Sequence, residues 1–337
     1  MRRTLTTLVV LGAVLAAAAC TQTRAAVPPP SSPARSPAPS SAPPDPAAVG
    51  ANELGFVPVL MYHRLVANPA GVFERTPDDF RAELVRLARE RYVPVTAARY
   101  TTGDIDIPTG THPVVLTFDD GDPSQFALTP AGDPAPGTAV AILREVAAQY
   151  PTFHPVATFF VNADPFGDPG GRRTLPWLRE HGMEIGNHTW SHANLGEAAP
   201  DRVRDEIVRE DQLIRAAVPA APPTTLALPF GVSPADPTQA LQGDGYRYTG
   251  VFLVGANPAP SPYAASFDPT RIPRIRSQAA TGQDAEFCST AWLDKLAAAP
   301  GQLYTSDGVA NRVAYPSNAT QAPAAAFQTR AFAYTPR

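Results

Sequence analysis

Residues Val114-Val115-Leu116-Thr117-Phe118 run without a break into Asp119-Asp120-Gly121. An apolar, β-branched run of this kind reads as a buried strand whose last residues emerge at a site rather than in a core. Two adjacent carboxylates are costly to bury there unless something positive faces them. The best candidate is a second short strand, Met183-Glu184-Ile185-Gly186, which runs into His188 and His192. One helical turn at that point would turn both imidazoles the same way.

Composition bounds what such a site belongs to. The chain has 337 residues and a net charge of −4, and losing Arg2 and Arg3 with a cleaved leader would take it to about −6. Neither value, with no Lys/Arg run anywhere, marks a nucleic-acid-binding surface. The length suits one large α/β domain with a substantial core.

Met1-Arg2-Arg3 followed by an apolar run from Leu8 to Ala19 reads as a secretory signal peptide, residues 1–20, too short to span a bilayer comfortably. Ala17-Ala18-Ala19-Cys20 resembles a bacterial lipoprotein cleavage site, although Ala17 stands where leucine is usual; ordinary export with cleavage nearby is the plainer alternative. Either route predicts an exported protein of the cell envelope, anchored by lipid or secreted. Cys20 and Cys288 are the only cysteines, so there is no disulfide framework, and Cys288 reads as a buried small hydrophobe. Residues 21–53 form a Pro/Ser/Ala-rich linker that cannot bury enough surface to fold. Residues 54–280 are the expected catalytic domain and 281–337 an extension without an assigned role.

Within the domain, strands and helices alternate. Val57–His63 reads as a first strand, and Thr76-Pro77-Asp78-Asp79 opens a helix over 77–90 with an N-cap, a proline and an acidic first turn. Strands follow at Tyr92–Val95, Val114–Phe118, Val156–Val161, Met183–Gly186, Thr224–Phe230, Tyr248–Leu253 and Arg271–Ile275, with helices at Ala139–Tyr150, Leu175–His181 and Asp201–Val218. This order argues for a mostly parallel sheet, open or closed into a barrel. His63, Asp119, Asp120, His188 and the Pro229-Phe230-Gly231 turn all fall at the C-terminal ends of expected strands, where β/α barrels build active sites. An open doubly wound sheet is the less favoured arrangement, since no Gly-rich phosphate loop is present.

Thr117-Phe118-Asp119-Asp120 and His188-Thr189-Trp190-Ser191-His192, with their spacing, resemble the first two motifs of the polysaccharide deacetylase family, the NodB-like carbohydrate esterases. The similarity extends over roughly residues 55–276. Pro58–His63, Ala157–Val161, Glu184–His188 and Ile272–Ile275 further resemble the branch that includes poly-N-acetylglucosamine deacetylases. The resemblance implies a distorted (β/α)7 barrel and a metal-dependent hydrolase that removes N-acetyl groups from a hexosamine-containing envelope or matrix polysaccharide. It implies Asp120, His188 and His192 as ligands of a divalent metal, Zn2+ first, with Asp119 as the base and the backbone around Phe230 helping to hold the oxyanion. One carboxylate and two imidazoles agree with a catalytic zinc site that keeps its fourth position open.

The chain also departs from the family pattern. Ala227-Leu228-Pro229-Phe230-Gly231 lacks the arginine usual before the proline, and no histidine follows His192. His63 is then the uncommitted histidine at a strand end and the candidate general acid, against the alternative that it only hydrogen-bonds inside the barrel. Arg274 is the candidate to hold Asp119 ionised in place of the absent arginine. Trp190 reads as packing the site wall, with sugar contact as the alternative, and His112, His154 and His181 read as solvated. The expected partner is an N-acetylated polysaccharide bound by a monomer, with no nucleic acid and no membrane contact beyond a lipid anchor. A zinc-retaining but catalytically weak carbohydrate-binding lipoprotein, and an O-acetyl esterase acting on xylan-like glycans, are the competing readings.

Overall fold

The computed structural model describes residues 44–337. The signal peptide, Cys20 and residues 21–43 of the expected linker lie outside the described residues. Among the described residues, no helix is long and apolar enough to cross a membrane.

Eight strands make one sheet: β1 (Val59–Tyr62), β2 (Tyr92–Val95), β3 (His112–Asp119), β4 (Thr158–Val161), β5 (Glu184–Asn187), β6 (Thr225–Ala227), β7 (Gly250–Phe252) and β8 (Ile275–Arg276). Seven of them follow the order β7-β6-β5-β4-β3-β1-β8, and all pairings are parallel. The remaining strand, β2, lies beside the first half of β3, with Tyr92 opposite His112 and Val95 opposite Val115. Just before β8 the chain closes the ring: Ile272 bridges Phe252 of β7, and Ile275 pairs with Leu60 of β1. The fold is a distorted (β/α)7 barrel.

Helices α1 (Pro77–Arg89), α2 (Ala97–Thr102), α3 (Ala139–Gln149), α4 (Thr174–Glu180), α5 (Pro200–Ala217) and α6 (Ser289–Ala298) accompany the sheet. Local chemistry explains where α1 begins. Thr76 accepts a hydrogen bond from the Asp79 N–H at 3.0 Å, and Pro77 fills the position whose N–H would have had no partner. Its apolar stripe, Phe80, Leu84 and Leu87, is fully buried, and each such side chain contributes about 1.5–3 kcal/mol relative to exposure.

The period of two along β3 sorts its side chains. Val114, Leu116 and Phe118 pack with Phe80, Leu84, Val140 and Leu143 of the helical layer. Val115 belongs instead to the cluster holding Phe160, Ala227 and Phe252. The same parity carries Thr117 and Asp119 toward that inner face. The sheet therefore delivers Asp119 into the barrel rather than under a helix.

The C-terminal residues pack onto this frame. Leu293, Leu296 and Leu303 join the main core cluster, and the Trp292 indole N–H donates to the Ala256 carbonyl at 2.7 Å. Val313–Pro316 pairs with Ala331–Tyr334, and Asn52 bridges Thr305, so this packing reaches upstream of Leu54. Glu53 is buried there, and burial together with the nearby Asp307 pushes its carboxyl up to about 8.

Four expectations are corrected. The strand read over Thr224–Phe230 ends at Ala227, because Pro229 cannot donate to a ladder and the chain turns at Phe230 with φ 59°. The strand read at Tyr248–Leu253 is shorter, at Gly250–Phe252, and the one read at Arg271–Ile275 is shifted to Ile275–Arg276, sharing only Ile275. His112, read as solvated, is half-buried, and its Nδ1 lies 2.8 Å from the Tyr304 carbonyl oxygen.

Candidate active site

Asp119 is 1% exposed and is held by a doubly bonded partner. Arg274 Nη1–H donates to Oδ1 at 2.7 Å and Nη2–H to Oδ2 at 2.6 Å. Burial alone would push the carboxyl up, but Arg274, with His188 and His63 behind it, holds it well below the usual carboxylate range. Arg274 is itself fully buried, and its Nε–H donates to the Leu253 carbonyl at 2.7 Å. The bidentate fork fixes the orientation of the carboxylate as well as its charge.

Asp120 follows on the same strand end but leaves the strand, with φ 77°. That left-handed turn sends its side chain toward the two histidines. Its Oδ1 lies 3.5 Å from His188 Nε2 and 3.6 Å from His192 Nε2. One ligand atom from each of Asp120, His188 and His192 falls within 4.8 Å of the others. His188 Nδ1 sits 2.8 Å from the Ala227 carbonyl oxygen, which makes it the protonated nitrogen and leaves the Nε2 lone pair facing Asp120. A carboxylate, a fixed imidazole and a second imidazole are a donor set that fits a divalent cation.

The imidazoles do not converge through a helical turn. Thr189 and His192 take φ 63° and 53°, so two left-handed residues fold the segment back on itself. Such conformations cost about 1–3 kcal/mol each for residues other than glycine and persist only where neighbours hold them. The Asn162 amide donates to the carbonyls of His188 and Thr189 at 2.6 and 2.7 Å. Glu206 of α5 accepts from both the N–H and the hydroxyl of Ser191 at 2.8 Å. Asn187 accepts from the Thr189 N–H at 2.7 Å and donates to Asp211 at 2.9 Å.

Asn162, Asn187, Glu206 and Asp211 were not expected from the sequence. The signal for two of them was present in α5, where Glu206, Glu210 and Asp211 fall on the stripe formed by Val203, Ile207 and Ile214. Carboxylates on the apolar face of a helix are there for a reason other than solubility.

His63 stands at the end of β1, with Nε2 3.9 Å from Asp119 Oδ2 and its ring tilted against Phe73 at 4.7 Å. Burial lowers its pKa, opposed by Asp119 and Asp120. A cavity of about 380 Å³ opens over these groups, lined by His63, Phe73, Asp120, His192, Phe230 and Val254 among others. That size lies within the range of roughly 300–1,000 Å³ common for small-molecule sites. Phe230 is 60% exposed and meets the His192 ring edge-on at 4.6 Å. The structure thus brings His63, Asp119, Asp120, His188, His192, Phe230 and Arg274 to one end of the barrel. Trp190 does not line the cavity; the Arg209 guanidinium lies 4.5 Å over its ring, so it packs against α5.

Residues 106–249 match the family model described as polysaccharide deacetylase. The chain is 30% identical over 141 residues to a chitooligosaccharide deacetylase of Bradyrhizobium sp. (strain ANU 289), covering 42% of this chain and 55% of the relative. A second chitooligosaccharide deacetylase, from Rhizobium leguminosarum bv. phaseoli, is 30% identical over 131 residues, covering 39% and 49%. The chain thus spans about half the length of the curated relatives it matches. The fold is similar to that of the Streptococcus pyogenes deacetylase PplD in complex with acetate, with a TM-score of 0.51, 20% identity, and coverage of 66% of this chain and 92% of that one. A polysaccharide deacetylase from Bacillus cereus gives a TM-score of 0.50 at 20% identity, covering 66% and 64%. The stretch matched by the family model contains Asp119, Asp120, His188, His192 and Phe230.

Proposed function

We propose that the protein is a deacetylase that hydrolyses the N-acetyl group of a hexosamine within a polysaccharide or oligosaccharide. The observation that carries this reading is the geometry around two adjacent carboxylates: Asp120 sits with His188 and His192, while Asp119 is clamped by Arg274 beneath them. Asp120, His188 and His192 would hold a divalent cation, Zn2+ by the chemistry of the set. When bound, that ion supplies Lewis acidity toward the acetamide carbonyl and makes a water easier to deprotonate.

The remaining work falls to this chain's side chains. Asp119, oriented by Arg274, receives the proton of the attacking water. The same ion pair makes it a poor place to keep that proton. His63, 3.9 Å away, is the more basic acceptor and faces the cavity, so the proton passes to it and then to the leaving amine. The carbonyl oxygen becomes an anion at the mouth, where the Pro229-Phe230-Gly231 turn presents its backbone. The leader and spacer read from the sequence put such a substrate at the cell envelope.

Acetate release from N-acetylglucosamine oligomers, abolished by chelation and restored by added Zn2+, tests the activity. Asp119→Asn should abolish turnover and keep cation binding measured by calorimetry, whereas Asp120→Ala and His188→Ala should lose the cation itself. His63→Ala should lower turnover by roughly 10²-fold or more with cation binding intact. Equal cation loss in Asp119→Asn and Asp120→Ala, or full activity after chelation, overturns the assignment.

A further inference from the structure

His63 and Asp119 sit on neighbouring strands, just past the point where those strands stop pairing. β1 and β3 stay in register from Val59 opposite Val115 to Tyr62 opposite Phe118, and the paired run ends there. Asp119 still pairs on its other side, with Phe160 of β4, and its carboxylate is gripped by Arg274. His63 has neither support. It lies beyond the end of β1, and its Nδ1 is buried without a hydrogen-bond partner. Phe73 packs against the ring at 4.7 Å, but an apolar contact is non-directional and does not fix a distance. The spacing of 3.9 Å from His63 Nε2 to Asp119 Oδ2 must then come from the backbone.

One side chain spans that gap. The amide of Gln125, a fully buried residue, donates one N–H to the His63 carbonyl at 3.0 Å and the other to the Asp119 carbonyl. Both neighbours are carbonyl oxygens, so the amide nitrogen has to face them. Its own oxygen is then left buried without a partner, which costs about 1–3 kcal/mol. An amide retained at that cost is retained for what its two N–H groups hold. Its own backbone is fixed, since the Gln125 N–H donates to the Asp122 carbonyl at 2.9 Å and its carbonyl accepts from the Val140 N–H of α3 at 3.0 Å. The Ser124 hydroxyl beside it accepts from the Leu65 N–H at 2.9 Å, so the same turn also holds the chain beyond His63.

We propose that Gln125 is a positioning residue, which stands in for the next rung between β1 and β3 and sets the distance across which His63 and Asp119 exchange a proton. The proposal rests on the deacetylase reading for the step it serves. Proton transfer needs the two groups to close to about 2.6–3.2 Å, and a misplacement of about 1 Å costs ~10²-fold. From 3.9 Å a small movement brings them together, whereas fraying of β1 past Tyr62 would carry His63 out of reach. The Gln125 amide bonds reach neither Asp120 nor the two histidines grouped with it, so cation binding should not feel their loss.

The test uses the full chain loaded with Zn2+ and N-acetylglucosamine oligomers as substrate. Gln125→Met keeps the length of the side chain without a donor, and Gln125→Asn keeps an amide too short to span both carbonyls. Both should read as folded by circular dichroism and bind the cation like wild type by calorimetry. Their kcat should fall by about tenfold or more with KM within about twofold. In a His63→Ala background, Gln125→Met should cost less than about twofold more, since the distance it sets no longer matters. Magnetic resonance of isotope-labelled histidine gives a readout free of turnover: the His63 ring signal, sharp in wild type, should broaden or split in Gln125→Met. Should Gln125→Met fail to fold, Gln125→Asn carries the same comparisons. If wild type releases no acetate while the His63 signal responds, the tie stands and the deacetylase reading falls. If wild type is active and the variants keep their kcat, or lose it in full on top of His63→Ala, the proposal falls and the deacetylase reading stands.

Discussion

Asp119 and Glu210 are almost equally buried, at 1% and 0% exposure, and they have opposite fates. Asp119, at the end of β3, faces a bidentate arginine and is held as an anion. Glu210, in the middle of α5, has neither oxygen hydrogen-bonded within the protein. Burial, and then the nearby Asp211 and Glu206, push its carboxyl up to about 9, so it carries its proton at neutral pH. Burial therefore does not decide charge; the partner does. One acid is a charged part of the site, while the other is a neutral filler under the segment that carries the histidines.

The most severe way to break this contrast is to take the partner from Asp119. Arg274→Ala leaves a buried anion uncompensated and should destabilise the fold by about 3–5 kcal/mol in urea titrations. Turnover should vanish in whatever folded fraction remains. Arg274→Lys should recover part of the stability and little activity, because a point charge cannot reproduce the fork.

A smaller effect of opposite sign is expected at Glu210. Its folded-state pKa lies above the unfolded value, so the stability it contributes is complete below about pH 4.5 and is lost as pH rises toward about 9. Glu210→Leu should make the protein about 1–3 kcal/mol more stable at pH 8, with a smaller gain at pH 5, read from melts at both values. Equal gains at the two pH values would mean that Glu210 ionises normally in the folded state.

Glu206 tests the middle of the scale. It is fully buried, yet it pairs with Arg202, whose side chain is 55% exposed, and it accepts from Ser191. Arg202→Ala should cost less than about 1 kcal/mol, because an exposed partner in water is worth little. The Ser191 hydrogen bonds should keep the histidine segment in place, so the expected loss of turnover is a few-fold at most.

The sequence made one half of this site readable and hid the other. Asp119, Asp120 and His188 come at the ends of apolar runs, so their place at strand ends could be inferred from the chain alone, with His192 four residues beyond His188. Arg274 and His63 could be named because the usual partners were missing and few candidates stood at strand ends. What could not be read is how the backbone turns. The tripeptide Pro-Phe-Gly occurs twice, at Pro165–Gly167 and Pro229–Gly231, with the central φ at 59° both times. Yet Phe166 is 5% exposed and packs on Phe126 and Phe159, whereas Phe230 is 60% exposed over the cavity. Local sequence set the turn, and the surrounding barrel set its use. Left-handed Thr189 and His192 were likewise invisible, since their geometry is held by Asn162 and Glu206 from other elements, together with Asn187 two residues before Thr189.

The place where the barrel closes has a consequence for how the protein ages. Ile272 and Ile275 join the two edges of the sheet through a very short stretch of pairing, and Arg274 stands between them. The residue that clamps Asp119 is thus carried on a joint with few ladder bonds. Warming should part that joint before it melts the layers under α1 and α3, and the first parting releases the clamp. Activity should therefore decay on heating while circular dichroism still reads folded, and the Leu253 and Ile272 amides should exchange with solvent ahead of those in β3.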